Sequence, residues 1–203
     1  MNKHFSILFM CFLLLFSCEE NKNSAQKNES VPGNYYQLSE DNIEIFLPKY
    51  FEKYSETEYK ELILKIKDQR LKKAELNRFN YMKFSKGNMY YFKDILSSTL
   101  ISAKILQYYD FSKRESSQIL GMMSQKCEDY AFFNEEKCKK LTAGFSAKGL
   151  TKVFKAVYEV THEEKVTYNT CYLISSNYKT LMLNFYSVLD TDYNKYIEKL
   201  IIK

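Results

Sequence analysis

The sequence predicts an α+β domain, an antiparallel sheet with helices packed on its faces, and three observations carry that expectation. Apolar and polar residues alternate through three successive runs between positions 153 and 187, the period of strands with one buried face. Ser55-Glu56-Thr57-Glu58 and Ser112-Lys113-Arg114-Glu115 have the spacing of capping boxes, in which the serine oxygen and the glutamate three residues on satisfy free amides at a helix start. Eighteen Tyr and fifteen Phe against two Pro and five Gly supply the side chains that favour a pleated surface.

The first 33 residues stand apart. Lys3, the apolar run 5–16 and the small residue Ser17 have the three parts of an export signal over residues 1–17. The run is too short to span a bilayer, which needs roughly 20 apolar residues as a helix. Leu15-Phe16-Ser17-Cys18 resembles the lipobox of bacterial lipoproteins. That resemblance implies cleavage before Cys18, a diacylglycerol thioether on its sulfur, and a mature protein held to a bacterial membrane in the cell envelope. Two or three acyl chains, at about 0.8 kcal/mol per buried methylene, make such an anchor stable. Residues 18–33 are polar and close on Pro32-Gly33, the composition of a flexible tether reaching roughly 20 Å. The pair Glu19-Glu20 is similar to the acidic patch that directs some Bacteroidota lipoproteins to the cell surface; charges that only keep a tether extended account for it as well.

Residues 34–203 suit one domain. Ile43, Ile45 and Leu47 mark a strand over 42–47, stopped at Pro48. The first capping box opens a helix with Tyr59, Leu62, Ile63 and Ile66 on one face, ending between Asp68 and Leu76. Runs 81–84 and 89–92 flank Ser85-Lys86-Gly87-Asn88 as a hairpin in which Gly87 is free to take positive φ. Residues 99–109 are read as a strand. The second capping box starts a helix with the stripe Ile119, Leu120, Met123, Cys127 and Tyr130. Then come the runs 153–160, 166–175 and 180–187, a three-strand meander with its first turn at His162-Glu163-Glu164-Lys165. Asp190 or Thr191 caps a closing helix carrying Tyr193, Tyr196, Ile197, Leu200 and Ile201.

This layout, with Ile45-Phe46-Leu47-Pro48 before the first helix and Asp190-Thr191-Asp192-Tyr193 opening the last, resembles the PsbP-like α/β/α sandwich superfamily. Its members include extrinsic photosystem subunits, nuclear-import accessory proteins and bacterial envelope lipoproteins. The resemblance implies a binding or accessory role, and it carries over no functional residue because the superfamily shares no active-site motif.

With Cys11 in the signal and Cys18 lipidated, the mature domain keeps Cys127, Cys138 and Cys171. In an oxidising compartment Cys127 and Cys138 can pair and staple the middle helix to the segment after it. Alternatively Cys127 is a small buried hydrophobe and Cys138 a solvated thiol. Cys171 shares a strand face with Leu173 and reads as core. The spacing matches no zinc pattern, and His162 is the single histidine of the mature chain, placed in a turn. A Cys-His pair drawing on it would need partners that meet in space. Glu135-Glu136 and Glu163-Glu164 are neighbours in loops and read as solvated charge. A hydrolase can still draw two carboxylates from distant segments. No phosphate loop, nucleophile elbow or helical metal motif is present, so no cofactor is expected.

The net charge of +5 is spread among glutamates, which argues against a nucleic-acid partner. The densest basic cluster is Lys65, Lys67, Arg70, Lys72 and Lys73, either a solvated helix face or a patch for anionic headgroups, acidic glycans or an acidic protein. Tyr35-Tyr36, Tyr90-Tyr91 and Tyr108-Tyr109 each place one ring outward if in a strand, which suits protein or sugar contact. The expected function is that of a lipid-anchored envelope protein, a non-catalytic binding or accessory module for a protein partner, a membrane assembly or a glycan. An envelope polymer hydrolase with dispersed carboxylates is the alternative.

Overall fold

The computed structural model describes residues 31–83 and 86–203. The expected signal segment 1–17, the expected lipidation site Cys18 and the expected tether up to residue 30 lie outside the described residues, as do Phe84 and Ser85 of the expected hairpin. No helix among the described residues is long and apolar enough to cross a membrane.

Among the described residues, ten strands and four helices follow in the order β1 (Gly33–Leu38), β2 (Ile43–Pro48), β3 (Phe51–Tyr54), α1 (Glu56–Leu64), α2 (Gln69–Lys83), β4 (Met89–Asp94), β5 (Leu100–Leu106), α3 (Lys113–Phe133), β6 (Lys137–Lys148), β7 (Thr151–His162), β8 (Lys165–Ser176), β9 (Lys179–Ser187), α4 (Asn194–Ile197) and β10 (Ile201–Ile202). Seven strands form an antiparallel sheet in the order β3-β4-β5-β9-β8-β7-β6, and β1-β2-β10 form a small second sheet. The α+β class and the antiparallel sheet with packed helices are as expected.

Strand alternation sends two sets of side chains to opposite faces of the large sheet. One face presents Phe92, Ile101, Ala103, Tyr172, Ile174, Leu181, Leu183 and Phe185, which pack with Leu38, Ile43, Ile45 and Leu47 of the small sheet and with Tyr193 and Ile197. The other face is covered by helices. Tyr59 and Ile63 of α1 and Phe79 of α2 close over Tyr91 and Leu100, while Ile119, Leu120 and Met123 of α3 pack against Phe154, Ala156, Tyr158 and Leu173. Both capping boxes form: Ser55 and Ser112 accept from the first-turn amides of α1 and α3, and the carboxylates of Glu58 and Glu115 accept from the serine amides at 2.8 and 2.9 Å.

Five expectations change. The single first helix is two. α1 stops at Leu64, and Asp68 opens α2 by accepting from the Arg70 amide at 3.0 Å. Residues 81–83, read as a hairpin strand, instead complete α2, because Glu75, Phe79 and the helix formers around them set a 3.6-residue period that the aromatic run does not override. β4 therefore pairs with β3 and β5. The meander gains a leading strand, β6, and begins one hairpin earlier. The closing helix is one turn, and the chain then joins the small sheet through Ile201 opposite Glu44. β1 starts at Gly33, the last residue of the segment read as tether, where a Cβ would overlap the Leu47 carbonyl.

Gly87 takes φ +106°, and a Cβ on it would overlap the Ile105 carbonyl, a group fixed by the neighbouring bond from the Ile105 amide to the Asn88 carbonyl at 3.0 Å. Gly87→Ala is expected to cost about 1–3 kcal/mol. Urea unfolding checks it, and an unchanged midpoint at equal slope would contradict the strain argument.

Candidate binding groove

The layer made by the small sheet and α4 is narrower than the large sheet beneath it. It leaves an open groove of about 1120 Å³ over β6, β7 and β8. Gly144 and Ser146 of β6, Val153 and Lys155 of β7, and Tyr172 and Ile174 of β8 make the floor; Asn194, Ile197, Glu198 and Leu200 make a wall. The sequence creates the space locally: Gly144 and Ser146 of β6 are small, with Lys148 beyond them at the strand end, and a Cβ on Gly144 meets nothing within 4 Å. A bulky residue there would fill the groove.

The floor is polar and internally matched. Lys155 Nζ donates to Asp192 Oδ1 at 2.9 Å and to Asn194 Oδ1 at 3.1 Å, and Tyr172 Oη donates to the same Asn194 oxygen at 2.9 Å. The ammonium also lies 5.5 Å from the centre of the Tyr172 ring. Burial works to raise the Asp192 pKa, but the Lys155 hydrogen bond, the Asn194 amide and the charges of Lys155 and Lys195 hold it below the usual carboxylate range. Burial raises the Tyr172 phenol above its ordinary value, with the Asp192 charge adding to it, so this hydroxyl stays a donor. At the open end Leu150 is 76% exposed, and next to Asn177 the Tyr178 ring is 82% exposed and packs on Tyr108 with centroids 5.5 Å apart. Of the two carboxylates here, Asp192 is held by Lys155 and Glu198 lies on the wall, and the groove supplies apolar contact and hydrogen bonding.

The residues singled out from sequence lie elsewhere. Cys127 of α3 and Cys138 of β6 are joined in a disulfide with Cα atoms 6.0 Å apart, inside the cluster beneath α3. The bond closes a separation of 11 residues, for which chain entropy gives about 3 kcal/mol. Unfolding with and without reductant is expected to differ by that amount, with Cys127→Ser/Cys138→Ser indifferent to reductant; equal midpoints for oxidised and reduced protein would contradict it. Cys171 is a free thiol buried in β8, where loss of water pushes its pKa up to about 12 and leaves it unreactive. His162 ends β7 opposite Lys165, six residues along β8 from Cys171, roughly 20 Å away, so the two do not pair.

The basic cluster is divided. Lys65 ends α1, Lys67 lies in the connection, and Arg70, Lys72 and Lys73 belong to α2. Arg70 forms an ion pair with Glu136, whose side chain is buried, so Glu136 is a structural partner and not the solvated charge expected beside Glu135. Glu135 and Glu163 occupy turns with positive φ. Among the described residues no three His, Cys, Asp or Glu side chains gather as a metal site. The groove cluster of Lys155, Tyr172, Asp192 and Asn194 was not found from sequence. Its one local trace is Lys155 between Phe154 and Ala156, a charge on the strand face that should lie under a covering layer.

No protein-family model matches the chain, and no curated protein matches it by sequence. Among solved structures, the fold is similar to that in the solution structure of cyanobacterial PsbP (CyanoP) from Synechocystis sp. PCC 6803. The TM-score is 0.53 and the identity 9%, over 85% of this chain and 94% of that one. The fold is therefore PsbP-like, an α+β sandwich.

Proposed function

We propose that this is a lipid-anchored protein of the bacterial cell envelope, attached through Cys18, whose PsbP-like domain is a non-catalytic binding or accessory module. The open groove carries this reading. Its hydrogen-bonding floor is neutralised within the protein, its open end sets Leu150 beside Lys148 and Asn177, and its opening along strands suits an extended segment of a protein or glycan. A catalytic cleft acting on glycosidic bonds would instead set two carboxylates across the scissile position.

The test is crosslinking in intact cells through a photoreactive residue in place of Leu150, followed by recovery of the adduct. A defined partner is expected. It is expected to be lost in Gly144→Tyr, whose Cβ has open space around it and whose ring would occupy the groove. Capture that is indifferent to Gly144→Tyr would remove the groove from the function. Breakdown of an envelope polymer by the purified protein would replace the binding reading with the hydrolase.

A further inference from the structure

The large sheet treats its two edges differently. β3, at one edge, has four residues and carries Glu52 and Lys53, so it offers little free backbone. β6, at the other, has twelve residues and no proline, and pairs with β7 along its length. Among the described residues nothing pairs with its outer side. Leu141 is an extra residue in the ladder and divides the strand. The second half, 142–148, runs in unbroken register opposite 151–157, and its interior, Thr142-Ala143-Gly144-Phe145-Ser146-Ala147, has none of the charges, prolines or bulges that ordinarily blunt an edge.

The direction of the backbone groups follows from the turn. Gly149, at φ +58°, and Leu150 connect β6 to β7 as a two-residue turn, which closes on a hydrogen-bonded pair, here Lys148 with Thr151. Pairs alternate from there. Thr142, Gly144 and Ser146 therefore bond β7, while the amides and carbonyls of Ala143, Phe145 and Ala147 face outward. Side chains alternate in step: Ala143 and Phe145 pack beneath α3, and Gly144 and Ser146 line the groove.

These features select the occupant. Outward amides and carbonyls at alternate residues match another extended peptide backbone, and a glycan has no such ladder to offer. A strand added here widens the groove floor by about 4.8 Å, and a large side chain on it opposite Gly144 can lean over the glycine into the groove. Charge sets the ends. Lys139 and Lys140 precede the open half, Lys148 closes it, and β6 has no acidic residue. On the neighbouring strands Lys152, Lys155 and Lys165 are paired with Asp110, Asp192 and Asp68, whereas among the described residues no carboxylate lies in ion-pair reach of Lys139, Lys140 or Lys148. A second copy added antiparallel about Gly144 would bring Lys140 of each chain to Lys148 of the other, so the lysines turn away this chain's own edge and favour an acidic one.

We infer that the free edge of β6 receives an extended acidic peptide segment as an additional strand, whose side chains enter the groove from its open side. The inference rests on the binding reading of the groove proposed above and names its partner as protein. The full chain in detergent is titrated with labelled nine-residue peptides that share the centre Thr-Val-Tyr-Val-Thr and end on both sides in two glutamates or two lysines. The glutamate-ended peptide is expected to bind at least about tenfold tighter and to weaken with salt. N-methylation of one alternate set of its central amides is expected to lose at least about tenfold and of the other set little, and Ala147→Pro, which removes an outward amide, to lose at least about tenfold. Binding that survives N-methylation of either set or is unchanged in Ala147→Pro, or no binding of the glutamate-ended peptide at millimolar concentration, overturns strand addition. In cells, capture through position 150 that is lost in Gly144→Tyr but persists in Ala147→Pro, or that recovers a glycan, overturns the added strand and leaves the groove standing. Capture indifferent to both variants removes the groove as well.

Discussion

Arg78→Leu is expected to destabilise the domain by about 3–5 kcal/mol, because it strands a buried carboxylate. Glu75 is 2% exposed beneath α2, and its charge is answered by the Arg78 guanidinium through Nη2 at 2.6 Å and Nε at 3.1 Å. The same guanidinium donates to Tyr59 Oη at 2.8 Å and Ser102 Oγ at 2.9 Å, so one side chain ties α1 and α2 to the middle of the sheet. Removing it leaves Glu75 without its guanidinium in a dry site and takes a donor from the Tyr59 hydroxyl. The double variant Glu75→Leu/Arg78→Leu is expected to recover most of the loss, since it removes both charges together. Urea unfolding of the pair distinguishes the cases. A single variant losing less than about 1 kcal/mol would mean that Glu75 reaches water despite its burial.

The second large effect belongs to Phe185→Ala, expected at about 3–5 kcal/mol for a fully buried aromatic replaced by a methyl group. Its ring stacks on Tyr193 with centroids 4.1 Å apart and meets the edge of Tyr172 at 5.8 Å. Tyr193 immediately precedes α4, whose Asn194 holds the groove floor through Tyr172 and Lys155. The cavity is therefore expected to loosen the wall of the groove as well as the core. Amide exchange should show protection falling in α4 beyond the global loss. A stability loss with α4 protection falling only in proportion would detach the groove from this contact.

Much of the large sheet could be read from the chain because its strands β7, β8 and β9 bury one face and alternate plainly, Phe154-Ala156-Tyr158 and Leu181-Leu183-Phe185 being the plainest runs. The capping boxes fixed two helix starts for a related reason, since their hydrogen bonds are local. Misreadings fell where burial is weak or distant. β6 is an edge strand, and Lys137, Lys139, Lys140 and Lys148 blur its period while guarding its free edge. The end of α1 turned on Asp68, a helix start without a capping-box partner three residues later. The small sheet pairs Ile201-Ile202 with β2 across most of the sequence, a contact that no local pattern announces. The groove was illegible for the same reason. Lys155, Tyr172 and Asn194 are separated by 17 and 22 residues and meet only when β7, β8 and α4 are stacked.

The proposed attachment through Cys18 is tested most directly by intact mass spectrometry of the native protein from membranes. The predicted result is a chain beginning at Cys18 with a diacylglyceryl thioether, present in the membrane fraction and absent from it in Cys18→Ala. A product that retains residues 1–17, or a mature terminus bearing no acyl group, would contradict it.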